Sequence, residues 1–440
     1  MPASNIALTA VLTGLLLHLP QAQSRDSRHA QVDTIFAEFD KPGSPGCALG
    51  VIQEGKLIYA RGYGMANLEH SIPITPQTIF DLGSTSKQIT AASVVLLAQE
   101  GKLELDDDVR KYVPEIPTYG APVTIRHLVH HTSGLRDYLT LMSLAGVDFD
   151  GVTGDEDALG IISRQQGLNF SPGEEHLYCN SGYFLLSVIV QRVSGRTLAR
   201  FAQERIFDPL GMKHSHYHND HTLIVPGRAT GYAPREDGGF RIDMSGFEQT
   251  GDGAVMTSVE DLLLWDQNFY RPRVGGEALV RQLHEVGVLN NGEKMRYAFG
   301  LNVDEYRGLK TVSHGGSWAG YRAELLRFPD QNLSVACLCN LASANPGRLA
   351  RQVAAVFLSA SMAAAPDPAS TGDRRPAQAA TLTKAELERQ VGLYRNPAGG
   401  EVRRITLVDG KLFIDTFGPS RELVPLDAAR FRVSGPQPGG

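Results

Sequence analysis

The sequence is poor in the residues that build several common kinds of site. It has four cysteines in 440 residues, too few for a dense disulfide framework, and no pair of them has the CxxC spacing of a zinc site. No long block of like charge occurs, and the formal net charge is -6 at pH 7. Neither nucleic acid nor an anionic membrane surface is therefore predicted as a partner.

Two of the cysteines, Cys337 and Cys339, alternate in the stretch SVACLCN. Alternate positions of a strand point to one face, and such neighbours are poor disulfide partners. Both are predicted to be small, buried, apolar residues.

What is present is the composition of an ordinary globular protein, with 42% hydrophobic and 20% charged residues. The length suits two or three domains, and no internal repeat is visible.

The N-terminus carries an uncharged apolar run, IALTAVLTGLLLHL, from Ile6 to Leu19. This run is too short to span a bilayer and has the length of the hydrophobic part of a signal peptide. The residues before it contain no Lys or Arg, which leaves a buried N-terminal helix as the alternative. Residues 1–24 are predicted to be a signal peptide cleaved near Ala22 to Ser24. The mature chain would then be secreted or periplasmic, without a membrane span.

Helix and strand patterns alternate along the next part of the chain. A helix is predicted at Val32–Phe39, followed by two strands around the turn at Glu54-Gly55. Apolar residues at helical spacing predict another helix over residues 84–100. Residues 105–290 are rich in helices and loops, and a capping box of Thr257 and Glu260 predicts a helix start there.

Strand patterns return late, in four stretches followed by a helix: YAFGLNV, LKTVSHG, YRAELLRF and LSVACLCN, then ARQVAAVFL. The short links between these strands favour an antiparallel sheet, with the helical middle as an inserted lobe. The predicted fold class of residues 25–360 is therefore α+β.

The C-terminal part has a different character. Residues 361–380 are rich in Ala and Pro and are typical of a linker. Residues 381–440 show alternating apolar positions around Asp409-Gly410, a strong hairpin signal. They are predicted to form a small, separable β domain.

Three short stretches contain candidate catalytic groups. In DLGSTSKQI, Ser84 and Lys87 are three residues apart at a helix start, so a hydroxyl lies beside an amine. In LYCNSGY, Tyr178 and Asn180 would project from one side of an extended segment. In SHGGSWAGY, His314 ends a strand, and two glycines let another backbone approach closely. Each stretch alone also fits a surface pair, a core aromatic or a simple turn.

Together and in this order, the three stretches resemble the motifs of the penicillin-recognising serine hydrolases, over residues 25–360. That family is defined by a Ser-x-x-Lys helix start, a Tyr-x-Asn and a Lys/His-x-Gly strand. HLVHHTSGL, IFDPLGM and PGCALGVIQEGKLIYARGYG look like its further signatures. The Tyr-x-Asn pair resembles class C β-lactamases and their D-alanyl-D-alanine carboxypeptidase, D-aminopeptidase and esterase relatives, rather than class A enzymes. The resemblance implies a β-lactamase/transpeptidase-like fold and a serine hydrolase without cofactor or metal.

The resemblance also implies a role for each motif residue. Ser84 would be the acylated nucleophile, Lys87 would accept or relay its proton, and Tyr178 would be the partner base that later activates water. Asn180 would bind the substrate amide. The backbone N–H groups of Ser84 and Ser317 would form the oxyanion hole. Whether Lys87 or Tyr178 is the general base stays open.

The third motif departs from the β-lactamases, which usually have Lys-Thr-Gly where this chain has His314, Gly315 and Gly316. A histidine is largely neutral at pH 7, and the missing Thr hydroxyl removes a carboxylate donor. His314 and Gly316 are still predicted to bind substrate, with protonated His314 as a donor to a carboxylate. Strong recognition of β-lactams is therefore disfavoured, and esters or amides that lack a fixed carboxylate are favoured. The predicted substrate is a small acyl ester, a D-amino-acid peptide or a β-lactam. The C-terminal β domain would border the active-site mouth, as in C-terminally extended relatives.

Two rival functions remain. The stretch HSHYHNDH places His214, His216 and His218 on one face of a strand, which suits zinc or copper, although a solvated loop is the simpler interpretation. A non-enzymatic penicillin-binding sensor would keep Ser84 acylated without turnover. An α/β-hydrolase is disfavoured because the chain has no Gly-x-Ser-x-Gly motif. The predicted partner is a small-molecule or short-peptide substrate, and the oligomeric state stays unknown.

Overall fold

A computed structural model of the chain describes residues 19–149, 151–364, 380–395, 402–416 and 418–434. Most of the predicted signal peptide and most of the predicted linker therefore lie outside the described residues. Within them, none of the helices combines the length and the apolar character that a membrane crossing requires.

The α-helices of the described residues are α1 (Leu19–Ile35), α2 (Lys87–Gln99), α3 (Ile125–Val129), α4 (Tyr138–Leu144), α5 (Asp155–Ser163), α6 (Asn180–Ser194), α7 (Leu198–Ala202), α8 (Asp208–Leu210), α9 (Val259–Gln267), α10 (Gly276–Leu283), α11 (Pro346–Leu358) and α12 (Lys384–Glu388). Short 3-10 turns occur at Gly83–Ser86, Val109–Lys111 and Pro329–Gln331, and a π turn at Gln203–Phe207.

The strands are β1 (Cys47–Gln53), β2 (Lys56–Tyr63), β3 (Met65–Asn67), β4 (Ile72–Pro73), β5 (Phe80–Asp81), β6 (Val152–Thr153), β7 (His216–Tyr217), β8 (Tyr232–Pro234), β9 (Phe240–Ile242), β10 (Gly246–Phe247), β11 (Val255–Thr257), β12 (Asn302–Tyr306), β13 (Leu309–Trp318), β14 (Tyr321–Phe328), β15 (Leu333–Cys339), β16 (Gly392–Arg395), β17 (Val402–Val408), β18 (Lys411–Thr416), β19 (Gly418–Pro425) and β20 (Phe431–Val433).

The main sheet has the order β12-β13-β14-β15-β1-β2, and every neighbouring pair is antiparallel. The chain therefore builds one sheet from its early hairpin and its late strands, with the helical region between them as an insertion. This arrangement confirms the predicted α+β class. The bounds of the first late strand were predicted wrongly. The pattern predicted a strand over residues 297–303, whereas β12 begins at Asn302.

Both faces of the main sheet are covered, which explains why its late strands are apolar at nearly every position. Leu325 packs into the core shared with the helical lobe, whereas the next residue, Leu326, packs into the core shared with α1 and α11. Val335 and Ala336 alternate in the same way. The sheet is thus the middle layer of three.

Cys339 is joined by a disulfide to Cys47, directly opposite it in the β1–β15 pair. The prediction that Cys339 is simply a small apolar residue was therefore wrong. A directly opposed cysteine on a neighbouring strand is within bonding range, and the sequence does not show which strands are neighbours. Cys337 is buried and free, as predicted.

Two predicted helix starts are corrected by the structure. The predicted helix from Ser84 begins as the 3-10 turn Gly83–Ser86, and α2 follows it. The cap of α9 is Ser258, which accepts a hydrogen bond from the Asp261 backbone N–H, rather than Thr257. Thr257 instead ends β11.

The C-terminal residues form their own antiparallel sheet, in the order β16-β17-β18-β19-β20. The predicted hairpin turn at Asp409-Gly410 joins β17 to β18. Leu412 and Leu423 are buried within this sheet. The division into a hydrolase domain, a linker and a separable β domain stays a prediction.

Candidate active site

A cavity of about 660 Å³ opens beside the start of α2 and is lined by Ser84, Tyr178, Asn180 and Ser317. Four of the seven predicted site residues therefore meet at one place, although they come from positions more than 230 residues apart in the chain. Much of the remaining wall is apolar and is contributed by leucines and aromatic residues, namely Leu135, Leu139, Leu141, Leu144, Leu177, Phe247 and Trp318.

Lys87 lies behind this wall, fully buried. Its Nζ donates hydrogen bonds to Ser84 Oγ at 3.0 Å, to Asn180 Oδ1 at 2.9 Å and to the Asp252 carbonyl at 2.5 Å. Three acceptors match the three protons of an ammonium group. Burial lowers the pKa of Lys87 below its usual range, and the carboxylates of Asp252 and Asp137 oppose that shift.

Tyr178 lines the same cavity as Ser84 and keeps 36% of its surface exposed. The Lys87 Nζ is 4.9 Å from the centre of its ring, a cation–π distance. Burial raises the pKa of the Tyr178 hydroxyl above its usual value, and a hydrogen bond with Ser84 offsets part of that rise. The free site therefore holds a neutral phenol beside the lysine.

The position of Tyr178 and Asn180 is fixed from two sides. His131 is buried, and its Nδ1 accepts a hydrogen bond from the Cys179 backbone N–H at 3.1 Å. Asn180 begins α6, and its backbone N–H donates to Asp137 Oδ2 at 2.6 Å. The two side chains are thus held where a loop leads into α6, and this junction is anchored on both sides.

The free edge of β13 approaches the 3-10 turn that carries Ser84. Pairing with β12 stops at Ser313, so the later residues of β13 face the turn instead. A Cβ on Gly316 would be 1.8 Å from the Leu82 carbonyl oxygen, and a Cβ on Gly83 would be 2.7 Å from the Ser317 nitrogen. Only glycines allow this approach, and it brings the Ser317 backbone against the turn that carries Ser84.

His314 lies behind the cavity rather than on its wall. It is buried, its Nε2 is 3.0 Å from the Tyr297 hydroxyl, and its Nδ1 is 2.6 Å from the Gly315 carbonyl oxygen. Burial lowers the pKa of His314 to about 4, and nearby Lys87 acts in the same direction. The ring is therefore neutral near pH 7. Gly316 allows the backbones of β13 and the 3-10 turn to come close to each other. It is not one of the described residues that line the cavity.

The histidine-rich stretch does not bring its three alternate imidazoles together. His216 Nε2 is 3.4 Å from His218 Nδ1, and His218 reaches the cavity wall beside Arg228. Among the described residues, three or more possible ligand atoms come within 4.8 Å of one another in two groups: Asp220, His221 and Glu248, and the three cysteines Cys47, Cys337 and Cys339, two of which are joined by the disulfide. Neither group includes His214, His216 or His218.

Three carboxylates on the cavity wall were missed from the sequence: Asp81, Asp137 and Asp252. Asp81 accepts a hydrogen bond from the Gly83 backbone N–H at 2.7 Å, and burial raises its pKa to about 6. Asp252 accepts one from the Tyr138 hydroxyl at 3.1 Å, and burial raises its pKa while Lys87 lowers it. For Asp252, the sequence offered one signal, which is a single Asp between two glycines in Gly251-Asp252-Gly253.

The C-terminal sheet also reaches this cavity. Leu393 of β16 and Arg403 of β17 are part of its lining. The expectation that the C-terminal residues border the site therefore agrees with the structure.

Comparisons with known proteins match most of the chain. A model of the family described as Beta-lactamase matches residues 32–358. A D-aminopeptidase of Gluconobacter oxydans is 32% identical over 380 residues, which are 85% of this chain and 69% of that enzyme. Penicillin-binding protein 4* of Bacillus subtilis is 30% identical over 336 residues, 72% of each protein. A D-aminopeptidase of Brucella anthropi is 31% identical over 297 residues, but the chain spans only 56% of its length.

Solved structures of penicillin-binding proteins have a similar fold. The octameric penicillin-binding protein homologue from Pyrococcus abyssi superposes with a TM-score of 0.68 and 25% identity, covering 91% of this chain and 90% of that one. The penicillin-binding protein from Bacillus halodurans gives a TM-score of 0.63 at 25% identity, covering 75% and 98%.

Proposed function

Because this chain belongs to the β-lactamase family of serine hydrolases, we propose that it cleaves an ester or amide through an acyl-enzyme formed on Ser84. One observation carries the proposal. The buried Lys87 ammonium is shared between the hydroxyl of Ser84 and the side-chain oxygen of Asn180, at 3.0 and 2.9 Å. A serine that contacts a buried amine on the wall of a cavity has the arrangement of an activated nucleophile.

In the proposed acylation step, Ser84 Oγ attacks the carbonyl carbon of the substrate and loses its proton. The backbone N–H groups of Ser84 and Ser317 donate to the carbonyl oxygen as it becomes negative. When the tetrahedral intermediate collapses, the bond to the leaving group breaks. The proton taken from Ser84 passes to the leaving group, which departs as an alcohol or amine.

Deacylation repeats these steps with water. A water molecule attacks the acyl carbon and gives its proton to the base. The bond to Ser84 Oγ then breaks, and Ser84 recovers its proton. Tyr178 is proposed to pass protons between Lys87 and the reacting oxygens, since its ring lies against Lys87 and its hydroxyl contacts Ser84.

We assign the proton acceptor to Lys87. Burial lowers the pKa of its ammonium, so that loss of one proton becomes accessible near neutral pH. The same burial raises the pKa of Tyr178, which makes the phenolate harder to form. Lys87 must release one of its three hydrogen bonds when it becomes the base.

The substrate class proposed is an amide or short peptide of a D-amino acid. Two of the relatives are named D-aminopeptidase. His314 is neutral and buried, so it supplies no positive charge for the carboxylate of a β-lactam at the position where β-lactamases usually have a lysine. This feature favours D-amino-acid amides over penicillins.

Replacement of the nucleophile tests this function. Ser84→Ala is expected to remain folded and to lose roughly 10³-fold or more of its kcat, because no other group can form the acyl-enzyme. Ser245→Ala is the matched control, since Ser245 lines the same cavity and should retain most of the activity. The measurements are turnover of a D-alanine p-nitroanilide and intact mass after a fluorophosphonate.

Two results would contradict the proposal. If Ser84→Ala kept its turnover or its fluorophosphonate adduct, the nucleophile would lie elsewhere. If the wild-type chain released one product per molecule and then stopped, the protein would be a penicillin-binding sensor rather than a hydrolase.

We also propose that the enzyme is exported, with residues 1–24 removed. The uncharged run from Ile6 to Leu19 supports this proposal. The N-terminal residue of the chain recovered from the periplasm or medium tests it, and a chain that retains Met1 would contradict it.

A further inference from the structure

Two aromatic rings flank the ammonium group of Lys87. Its Nζ lies 4.9 Å from the centre of the Tyr178 ring and 5.6 Å from the centre of the Tyr183 ring. Both distances are within the range of about 6 Å in which the electron-rich face of an aromatic ring attracts a cation. The three hydrogen bonds of Lys87 are therefore not the whole of what holds its charge.

The Tyr183 ring is fixed in place by the protein. Tyr178 keeps 36% of its surface exposed, whereas Tyr183 is fully buried near the start of α6. The Tyr183 hydroxyl donates a hydrogen bond to the Val129 carbonyl oxygen at 2.9 Å, which ties the ring to the end of α3. Gly182 lets the two helices come close, since a Cβ there would lie 3.0 Å from the Leu128 carbonyl oxygen.

Tyr183 and Asn180 reach Lys87 from the same face of α6. They are three residues apart, a spacing that places two side chains next to each other on a helix. Asn180 Oδ1 accepts a hydrogen bond from Lys87 Nζ at 2.9 Å, and the same Nζ lies over the Tyr183 ring. One helix face therefore supplies both an acceptor and an aromatic ring to the ammonium group. The hydroxyl of Tyr183 is used by Val129 and has no part in the proposed proton transfers.

Most of the other groups around Lys87 carry no charge near pH 7. The titratable side chains that interact with Lys87 are Asp137, Asp252, Tyr178, Cys179, Tyr183, His131 and His314. Burial lowers the pKa of both histidines and raises the pKa of both tyrosines and of the cysteine, so these five are neutral. The two aspartates supply the negative charge, and the Tyr183 ring adds an attraction without a charge of its own.

We propose that Tyr183 is a positioning residue that holds Lys87 as an ammonium group in the resting site and thereby sets the pH at which Lys87 becomes the base. The proposal rests on the function proposed above and on the assignment of Lys87 as its proton acceptor. The face of the ring attracts the ammonium form and not the neutral amine. Compared with an aliphatic side chain of similar size, the ring therefore raises the pKa of Lys87 and opposes the effect of burial.

The test compares variants at position 183 by the pH profile of kcat/KM for an uncharged butyrate ester, which reports the pKa values of the free enzyme. Tyr183→Phe keeps the ring and removes only the hydroxyl, so the midpoint of the profile should stay close to that of wild type. Tyr183→Leu removes the ring, and the midpoint should fall by roughly 0.5 to 1.5 pH units, the equivalent of one buried cation–π contact.

A second variant separates the charge of the ring face from its packing. Tyr183 replaced by a ring-fluorinated phenylalanine keeps the shape of the ring but weakens the negative charge of its face, so the midpoint should again fall. Phe201→Leu is the matched control, because it makes the same kind of change in a buried ring of α7 that lies against Arg205 rather than Lys87. Its midpoint should equal that of wild type.

The proposal is overturned if the midpoint stays unchanged or rises in the fluorinated variant and in Tyr183→Leu. Thermal unfolding shows whether each variant is folded, and if Tyr183→Leu is not, the fluorinated variant decides alone. Failure of the proposed function would be seen differently, as turnover that survives in Ser84→Ala. Failure of Lys87 as the base would be seen as an active Lys87→Arg with an unchanged profile.

Discussion

At the scale of single residues, the proposed mechanism depends on the protonation of Lys87. The three hydrogen bonds that Lys87 donates are those of an ammonium group, whereas the proposed mechanism needs a neutral amine that can accept the Ser84 proton. Burial disfavours the charged form and lowers the pKa. The same residue can therefore organise the resting site and act as its base.

This dual role predicts the pH dependence. For an uncharged butyrate ester, kcat/KM should rise with pH as Lys87 loses its proton, with a midpoint clearly below about 10.4, the ordinary value for lysine. Lys87→Arg keeps the charge but cannot be deprotonated, so roughly 10³-fold of the activity should be lost. The measurement is the pH profile of kcat/KM from pH 5 to 10.

The control is Tyr178→Phe, which removes the hydroxyl and leaves the ring against Lys87. If its activity vanished while Lys87→Arg remained active with an unchanged profile, Tyr178 would be the base instead.

At the scale of secondary structure, the site depends on how closely β13 approaches the 3-10 turn at Gly83–Ser86. The hydroxyl of Thr85 donates to the His314 carbonyl at 3.0 Å, which ties the two elements together. Gly316 lies where the backbones are closest. These contacts set the position of the Ser317 backbone relative to the turn that carries Ser84.

Two adjacent glycines allow a matched experiment. Gly316→Ala places its Cβ against the Leu82 carbonyl, so the turn and the strand must separate. We expect a loss of about 1–3 kcal/mol in the free energy of unfolding, and a fall in kcat of roughly 10²-fold or more as the oxyanion donors move apart. Chemical denaturation and turnover of the butyrate ester measure the two effects.

Gly315→Ala is the control, because its Cβ would meet mainly the far end of the Glu324 side chain, which can move. Equal activity of the two variants would show that the approach of β13 does not position the donors.

At the scale of the whole molecule, the main sheet and the C-terminal sheet do not share a hydrophobic core among the described residues. Among the described residues, the core shared with the helical lobe extends to Leu338 and the core shared with α1 and α11 extends to Met362. Helix α11 packs against α1 in the outer layer. The C-terminal sheet contributes Leu393 and Arg403 to the cavity but nothing to these cores among the described residues.

A chain that ends at Met362 is therefore expected to unfold cooperatively, with a midpoint close to that of the full chain, and to change its substrate preference because part of the cavity wall is gone. A chain that ends at Asn345 is the control. It lacks Leu349, Val353 and Leu358 of α11 and should not fold, since each lost core side chain costs about 2–5 kcal/mol. Non-cooperative unfolding of the chain ending at Met362 would make the C-terminal sheet part of the main structure.

Much of the secondary structure could be predicted from the sequence, because hydrophobic periodicity and turn residues can be recognised within a single short segment. The β1–β2 and β17–β18 hairpins lie at the turns where Glu54-Gly55 and Asp409-Gly410 predict them. The motif residues Ser84, Tyr178, Asn180 and Ser317 meet on one cavity wall as expected.

What the sequence could not show depends on contacts between distant segments. The motif pattern places His314 in the site but does not tell which way its ring points, and the structure turns it toward Tyr297. Asp252 belongs to no motif, and only folding brings it to Lys87. The disulfide partner of Cys339 is 292 residues away, on a strand whose neighbour is set by the sheet order.

That disulfide has a consequence for what a proteolytic cut does to the molecule. Cys47 and Cys339 enclose the helical lobe and strands β12 to β15, so a protease that cuts a surface loop between them produces no separate fragment. The two pieces stay covalently joined through neighbouring strands of the central sheet, and the groups that meet at Ser84 stay on one molecule. A nick in the lobe is therefore an event that the protein can tolerate in an oxidising environment and not in a reducing one.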